Sequence, residues 1–455
     1  MSSSNFSIPR RGFLALGASW GLAGCGGGGD AGGTDPLPAA PAIQGFDTVA
    51  GSPLVGERLR LRPLFSGGAG RIEPEIGAVV SGVEVQTPVL DGPRCYTLVV
   101  EAAGRPTARR ELLLPVRYRE RYQALALPFA LQYHAAVLAA DGGVLVIGGS
   151  RGEPSLSNAI DRFDPASGRF ERLGQMRTGR ALHSATRLAS GQILVLGGLI
   201  SLEIGGVAEL IDERSGAVLD AGRPRQPRAR HAALALADGR VLVAGGLGRD
   251  TLELWDPQQR QFRLLAARMR HVREFPSLTQ LADGRVLIVG GYHDGPVNVT
   301  AELFDPAAES LAAVATALDE RRQLHEAHRM ADGSVLILGG ELIAPEGIRP
   351  LASVLRYEPL AGTLAGVQGL EQARTLVRSV RTAGDEIRLF GGQTEADAVA
   401  ASACLYRPGQ GATALPAMPV PRAWHSVTRL ADGRILILGG DDAAGAPVAG
   451  GLLFD

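Results

Sequence analysis

The sequence predicts an all-β fold, in which a β-propeller of seven four-stranded blades follows a small β-sandwich. Short apolar runs alternate with polar residues, Asp-Gly or similar turns separate them, and a glycine pair closes each unit. The unit is clearest in residues 228–246, which read RARHAALALADGRVLVAGG, with Asp238-Gly239 between two alternating runs. Such a turn between two strand patterns is a strong hairpin signal. The unit recurs about every 50 residues, the period of a propeller whose blades each contain four strands.

The first 25 residues predict export and lipid anchoring. A basic pair, Arg10-Arg11, precedes an apolar run from Phe13 to Leu22 that is too short to span a membrane as a helix. The pair with its following residues resembles a twin-arginine export signal, and Leu22-Ala23-Gly24-Cys25 resembles a bacterial lipobox. The second resemblance implies that residues 1–24 are removed and that Cys25 carries the lipid. An uncleaved leader, or secretory cleavage without lipid, is the alternative.

Residues 25–41 are rich in Gly, Pro and Ala, and they predict a flexible tether between the lipid and a folded body. The expected location is a membrane-anchored lipoprotein that faces the periplasm or the cell surface. Gly26 stands where an Asp would favour retention in the inner membrane, so the outer membrane is the preferred expectation.

Residues 42–118 predict a small antiparallel domain. Short apolar runs at Arg58–Leu64, Arg94–Val100 and Arg109–Val116 alternate with glycine-rich breaks, as in a β-sandwich. The pattern resembles bacterial immunoglobulin-like modules, and the expected role is a spacer.

Residues 119–455 contain the repeats. In most units a third strand ends in an acid, as in RFDP at 162–165 and LFDP at 303–306. The last unit stops after its third strand, so we expect the segment around 119–127 to supply its outer strand and close the ring. The glycine pairs begin at Gly148, Gly197, Gly245, Gly290, Gly339, Gly391 and Gly439.

These repeats resemble kelch propellers and the central domain of galactose oxidase, across about three quarters of the chain. The resemblance implies the seven-bladed kelch-type fold. It does not imply one function, because propellers of this type have many.

Arginines recur three residues before a periodic histidine position, at the start of the innermost strand. The first repeat departs from this pattern with Leu131. We expect these arginines to gather at one mouth of the central channel, where they would bind ligand carboxylates. In kelch propellers that bind acidic peptides, arginines at similar positions contact the ligand. The alternative is a repeated structural device in which each arginine pairs with an acid or carbonyl of a neighbouring blade. The candidates are Arg180, Arg228, Arg273, Arg322, Arg374 and Arg422.

The histidines at that position are expected to be packing residues and not metal ligands, because each belongs to a different blade. His325 and His328 also point to opposite faces of a strand, so no metal or other cofactor is expected. The pair Tyr133-His134 resembles copper ligands of galactose oxidase. That enzyme also requires a cysteine cross-linked to a second tyrosine and a histidine from a later domain, and this sequence does not supply them. The periodic histidines are His134, His183, His231, His325 and His425.

Charge and composition limit the possible functions. A net charge of −1 argues against a nucleic-acid binder, and three cysteines do not form a disulfide framework. The expected function is a monomeric, non-catalytic binding or scaffold protein, with a protein, acidic or carbohydrate ligand at a propeller face. The loops that follow the glycine pairs, such as 199–207 and 341–352, belong to that face. The alternative is a carbohydrate-active enzyme, such as a sugar mutarotase or oxidase, with a pocket at the mouth.

Overall fold

The computed structural model describes residues 38–455, except residues 50, 52, 152–155, 202, 292–300, 317–321, 345–346 and 395–397. The proposed signal segment, Cys25 and most of the tether lie outside these ranges. All regular elements in the described ranges are β-strands. No helix with the length and apolar character to cross a membrane occurs among these residues.

The N-terminal region forms two antiparallel sheets around one core. One sheet has the strand order β1-β2-β5 and the other has the order β4-β3-β6-β7. Phe46, Leu61, Tyr96 and Leu98 are fully or almost fully buried between them. The strands are β1 (Ala42–Thr48), β2 (Arg60–Ser66), β3 (Ala69–Glu73), β4 (Gly77–Val79), β5 (Val85–Gln86), β6 (Arg94–Glu101) and β7 (Ala108–Leu114).

Seven further sheets follow, and we number them 1 to 7 in the order of their innermost strands. Sheet 1 contains β9 (Ala135–Leu138), β10 (Val144–Ile147), β11 (Ala159–Asp164) and β12 (Arg169–Gln175). Sheet 2 contains β13 (Ser184–Arg187), β14 (Gln192–Leu196), β17 (Ala208–Asp212) and β18 (Val218–Asp220), with a hairpin of β15 (Leu199–Ile200) and β16 (Glu203–Ile204) in its loop. Sheet 3 contains β19 (Ala232–Ala235), β20 (Val241–Ala244), β21 (Thr251–Asp256) and β22 (Gln261–Arg268). Sheet 4 contains β23 (Ser277–Gln280), β24 (Val286–Val289), β25 (Ala301–Asp305) and β26 (Ser310–Ala313).

The remaining sheets repeat this order. Sheet 5 contains β27 (Ala315–Thr316), β28 (Glu326–Arg329), β29 (Val335–Leu338), β32 (Val354–Glu358) and β33 (Thr363–Val367), with a hairpin of β30 (Glu341–Ala344) and β31 (Gly347–Pro350) in its loop. Sheet 6 contains β34 (Arg378–Thr382), β35 (Glu386–Phe390), β36 (Ala403–Arg407) and β37 (Gly411–Leu415). Sheet 7 contains β38 (Ser426–Arg429), β39 (Ile435–Leu438), β40 (Ala449–Phe454) and, as its outer strand, β8 (Tyr122–Ala130).

The sheets form a ring because each innermost strand contacts those of its two neighbours, and β38 of sheet 7 returns to β9 of sheet 1. The second strand of each sheet is buried on both faces, as in the run Val144–Ile147. Its side chains pack alternately against the preceding and the following sheet. The apolar layers between sheets are therefore the main core of this part of the molecule.

Sheet 7 joins distant parts of the chain. Strand β40 pairs antiparallel with β8, with Phe454 opposite Tyr122 and Ala449 opposite Ala130. The ring closes through these main-chain hydrogen bonds, which leave no open edge at β40.

The two ends of the propeller axis differ. At the loop face lie the glycine pairs and the long loops between second and third strands. At the turn face lie the Asp-Gly hairpin turns. The N-terminal domain packs on the turn face beside sheets 6 and 7. There Asp91 forms an ion pair with Arg429 at 3.1 Å, and the Tyr118 hydroxyl donates a hydrogen bond to the carbonyl of Gly433 at 2.7 Å. The described part of the N-terminal domain therefore lies at the end of the axis opposite the loop face.

Candidate functional site at the loop-face mouth

The six repeated arginines are buried within the sheets. Each side chain is between 0% and 4% exposed. In each case Nη1 donates to the carbonyl of the first glycine in the pair of the same repeat, at 2.5 to 3.2 Å. Three of them also bind a buried glutamate of the third strand: Arg180 binds Glu209, Arg228 binds Glu253, and Arg273 binds Glu302.

The main chain at the same positions joins neighbouring sheets. The second glycine of each pair donates its N–H to the carbonyl of the arginine in the next repeat, at 2.8 Å in the six cases. Gly440 of the last repeat donates to Leu131 of the first at 2.7 Å. A Cβ on Gly245 would lie 2.3 Å from the Arg273 carbonyl oxygen, and its φ of 68° also favours glycine. The arginine side chains thus hold the strands of one sheet together, and the glycine N–H groups bond each sheet to the next one.

This arrangement corrects the expectation that the arginines line the mouth. Their guanidinium groups face main-chain carbonyls inside their own sheets, where no ligand carboxylate reaches them. The structural alternative accounts for their contacts, although the side chains bind their own sheet and not the neighbouring one. The residues concerned are Arg180, Arg228, Arg273, Arg322, Arg374 and Arg422.

The periodic histidines lie in the interfaces between sheets. In three repeats Nε2 of the histidine meets the hydroxyl of a serine on the innermost strand of the preceding sheet: His134 with Ser426 at 2.7 Å, His231 with Ser184 at 2.8 Å, and His325 with Ser277 at 2.8 Å. Burial lowers the pKa of His134 to about 4 and that of His231 and His325 to about 3. These imidazoles are neutral parts of the interfaces.

The mouth is lined by a different position, the residue immediately before the histidine position. In all seven repeats this residue has a positive φ, between 53° and 59°. A left-handed conformation is rare for residues other than glycine and costs energy, so its recurrence here marks a feature of the repeat. We call these seven residues the rim residues, and they are Tyr133, Leu182, Arg230, Phe275, Leu324, Leu376 and Trp424.

Rim side chains meet across the axis. Trp424 of sheet 7 lies 5.1 Å from Tyr133 and 5.8 Å from Phe275 of sheet 4, between ring centroids. Leu324 and Leu376 pack into the same cluster, and the Arg230 guanidinium lies 5.6 Å from the centre of the Phe275 ring. These contacts give the mouth a half-exposed aromatic floor.

Carboxylates surround part of this floor. Asp441, which follows the last glycine pair, accepts a hydrogen bond from the Tyr133 hydroxyl at 3.2 Å, and the Gln132 amide also donates to it. Burial, with a smaller contribution from Asp442, raises the pKa of Asp441 to about 6, although the Tyr133 hydrogen bond opposes this shift. Burial raises the pKa of Tyr133 to about 12.

The acidic residues occupy one side of the mouth. Glu274 binds Arg230 at 3.0 Å, and the buried Glu341 accepts the Gln323 amide at 2.7 Å. At the equivalent places of sheets 2 and 3 the residues are Ala181, Leu199, Ala229 and Leu247. The acidic side chains of the mouth thus belong to sheets 4, 5 and 7, whereas the equivalent positions of sheets 2 and 3 are apolar.

Tyr133 and His134, the pair that resembles copper ligands in the sequence, point to different parts of the structure. Tyr133 points to the axis, whereas His134 points into the interface with sheet 7 and meets Ser426. Cys404 is buried in the apolar layer between sheets 5 and 6. Among the residues that the structure describes, no three His, Cys, Asp or Glu side chains lie together as metal ligands.

Comparisons with known proteins agree with the fold. The model of the kelch motif matches residues 133–177. A solved structure of a fungal alcohol oxidase of the AA5 family, in complex with copper, superposes with a TM-score of 0.61 at 16% identity, over 74% of this chain and 76% of that chain. No curated protein matches this chain. At this identity the likeness shows the fold alone, which is that of a kelch-type β-propeller.

Proposed function

We propose that this protein is an exported, lipid-anchored binding protein whose propeller binds a hydroxyl-rich ligand, such as a carbohydrate, at the loop-face mouth. One observation carries the proposal: Trp424, Tyr133 and Phe275 converge there beside the Asp441 carboxylate. Aromatic faces offer apolar surface to a sugar ring, and carboxylates accept hydrogen bonds from its hydroxyls.

The charge at the mouth argues against an acidic ligand. With the six arginines buried, Arg230 is the basic rim residue, and Glu274 already neutralises it. Asp441, Asp442 and Glu341 add negative charge. An acidic peptide would meet repulsion there, whereas a neutral polyhydroxylated ligand would find acceptors.

The first test measures binding on a glycan array and then titrates the best sugar by calorimetry. The chain carries Cys25→Ser, which keeps it unlipidated. Trp424→Ala is expected to weaken binding about tenfold or more, because it removes the central aromatic contact. Leu360→Ala is the control, since Leu360 is fully exposed in sheet 5, away from the mouth. Absence of sugar binding, or equal binding by the Trp424 variant, would contradict the proposal.

A carbohydrate-active enzyme is the second candidate, and the pair of Asp441 and Tyr133 favours it. A carboxyl group with a pKa near neutrality can donate and accept a proton at ordinary pH, and burial places Asp441 in that range. NMR of the bound sugar over several hours distinguishes the two candidates. Conversion that Asp441→Asn abolishes identifies an enzyme, whereas an unchanged sugar with retained affinity supports the binding protein.

A further inference from the structure

The interface between the N-terminal domain and sheet 6 contains a cavity of about 320 Å³. It lies on the turn face, at the opposite end of the axis from the mouth. Its walls include Arg117, Tyr118 and Glu120 of the connecting segment and Glu386, Arg388 and Arg407 of sheet 6. Interfaces between domains are common places for small-molecule sites.

Arg388 departs from the repeat. It lies on the second strand of sheet 6, three residues before the glycine pair, and its side chain is almost fully buried, at 4% exposed. A lone buried charge is costly unless something pairs with it. At the same place the other six repeats have buried leucines: Leu145, Leu194, Leu242, Leu287, Leu336 and Leu436.

Arg407 departs from the repeat in the same sheet. It ends the third strand, where the other six repeats have an acid. Sheet 6 therefore has an arginine in place of a core leucine and another in place of an acid, and both line one cavity. A propeller sheet does not require either arginine, since the other six sheets form with a leucine and an acid at these two places. The acids at that place are Asp164, Asp212, Asp256, Asp305, Glu358 and Asp455.

The positive charges of the cavity are only partly compensated. Glu386 accepts from Arg388 at 3.2 Å and from Arg407 at 2.8 Å, so one carboxylate serves two guanidinium groups. Arg388 also stacks on the Tyr118 ring, with its central carbon 3.8 Å from the ring centre. Its buried Nε has no hydrogen-bond partner among the residues of the structure. With Arg117 and Glu120 included, three arginines face two carboxylates.

We propose that this cavity binds a small ligand that bears an oxyanion, either a carboxylate or a phosphate. The planar donors of Arg407 and Arg388 suit such a group, and the ligand would supply the negative charge that the repeat acid supplies in the other sheets. The site involves both the N-terminal domain and the propeller, so an occupied cavity would also hold the two domains together.

Calorimetric titration of the full chain with inorganic phosphate and, separately, with succinate tests this proposal. Both titrations are made at constant ionic strength, so that general screening does not imitate binding. The unmodified protein is expected to bind one of the two probes, and which probe binds identifies the oxyanion. Arg407→Asp, which restores the acid of the other repeats, is expected to weaken that binding about tenfold or more, as the loss of a charged hydrogen bond does.

Two further variants make the result decisive. Arg214→Asp places the same change on an exposed arginine of sheet 2 and is expected to leave binding unchanged. Arg388→Leu restores the leucine of the other repeats, and it is also expected to weaken binding about tenfold or more. If neither probe binds the unmodified protein, or if folded Arg407→Asp binds as before, the two arginines serve only the domain interface and the proposal is wrong. The outcome is independent of sugar binding at the mouth.

Discussion

The arginine positions and the rim positions lie two residues apart in every repeat, and they differ in what they repeat. Six of seven arginine positions hold the same residue, with the same contact to a glycine carbonyl. The rim positions repeat only a backbone conformation, and their side chains range from Leu182 to Trp424. Both positions recur at the same period, yet only one repeats its chemistry. In this ring, identical side chains build the architecture and varied side chains form the candidate ligand surface.

Opening the ring is expected to have the largest effect, because it would disturb the arginine positions and the rim positions together. Deletion of residues 449–455 removes β40 and leaves β8 and β39 without their partner. We expect loss of cooperative unfolding, because both the arginine layer and the rim depend on a closed ring. Circular dichroism during heating measures this outcome, with Leu360→Ser as a control that should unfold like the unmodified protein. A cooperative transition in the shortened chain would show that closure is dispensable.

The two positions can be compared directly in one repeat. Arg228→Ala leaves Glu253 buried without its cation, and we expect a loss of about 3–5 kcal/mol in the free energy of unfolding. Arg230→Ala removes a half-exposed side chain paired with Glu274, and we expect a loss of at most about 1 kcal/mol. Denaturant titration of both variants gives the two values. Equal losses would remove the distinction between an architectural and a variable position.

The histidine layer predicts instability in acid. The folded protein holds His231 neutral down to about pH 3, whereas an unfolded histidine takes up its proton near pH 6.5. Between these values the unfolded state binds more protons, so stability falls as the pH falls. Each such histidine costs about 2 kcal/mol at pH 5. His231→Gln should therefore show a shallower decline between pH 6.5 and 4 in denaturant titrations, and an unchanged slope would contradict the assignment.

Asp441, which lies beside the rim residue Tyr133, predicts a smaller change of stability with pH, and of opposite sign. Its pKa is about 6 in the folded protein and near 3.8 when unfolded, so the folded state binds more protons in that range. Stability should fall as the pH rises from about 4 to 6, by about 1 kcal/mol for a half-buried group. Asp441→Asn should remove this component. The difference between the two proteins across that range is the quantity to measure, and a constant difference would show that Asp441 does not titrate there.

Much of the fold follows from local sequence. Asp238-Gly239 predicts its hairpin, and the glycine pairs need positive φ that only glycine adopts easily, so the repeat can be counted from the chain alone. The pairing of β8 with β40 confirms that the segment before the first repeat supplies the outer strand of sheet 7. The rim residues have no comparable signal in the sequence. The residue before the histidine is left-handed without being glycine, and an alternating pattern gives no sign of it.

The arginines show the opposite difficulty. Arg228 carries a strong sequence signal, but the sequence does not tell whether its side chain points to the axis or into its own sheet. The decisive contact, with the Gly245 carbonyl, depends on how the glycine pair folds back 17 residues later. Only the recurrence of Glu209, Glu253 and Glu302 hinted at a buried partner. The sequence pattern thus does not predict which way a side chain points where a strand begins irregularly.

The closure of sheet 7 has a consequence for biosynthesis. Arg119 and Asp455, which form an ion pair beside this closure, are 336 residues apart in the chain. Strand β8 is therefore translated long before β40, and through that interval it has no partner strand. Six sheets can form behind it while the ring stays open, with two strand edges exposed to other chains. Closure depends on β40, so the propeller is most vulnerable to aggregation before this strand is made.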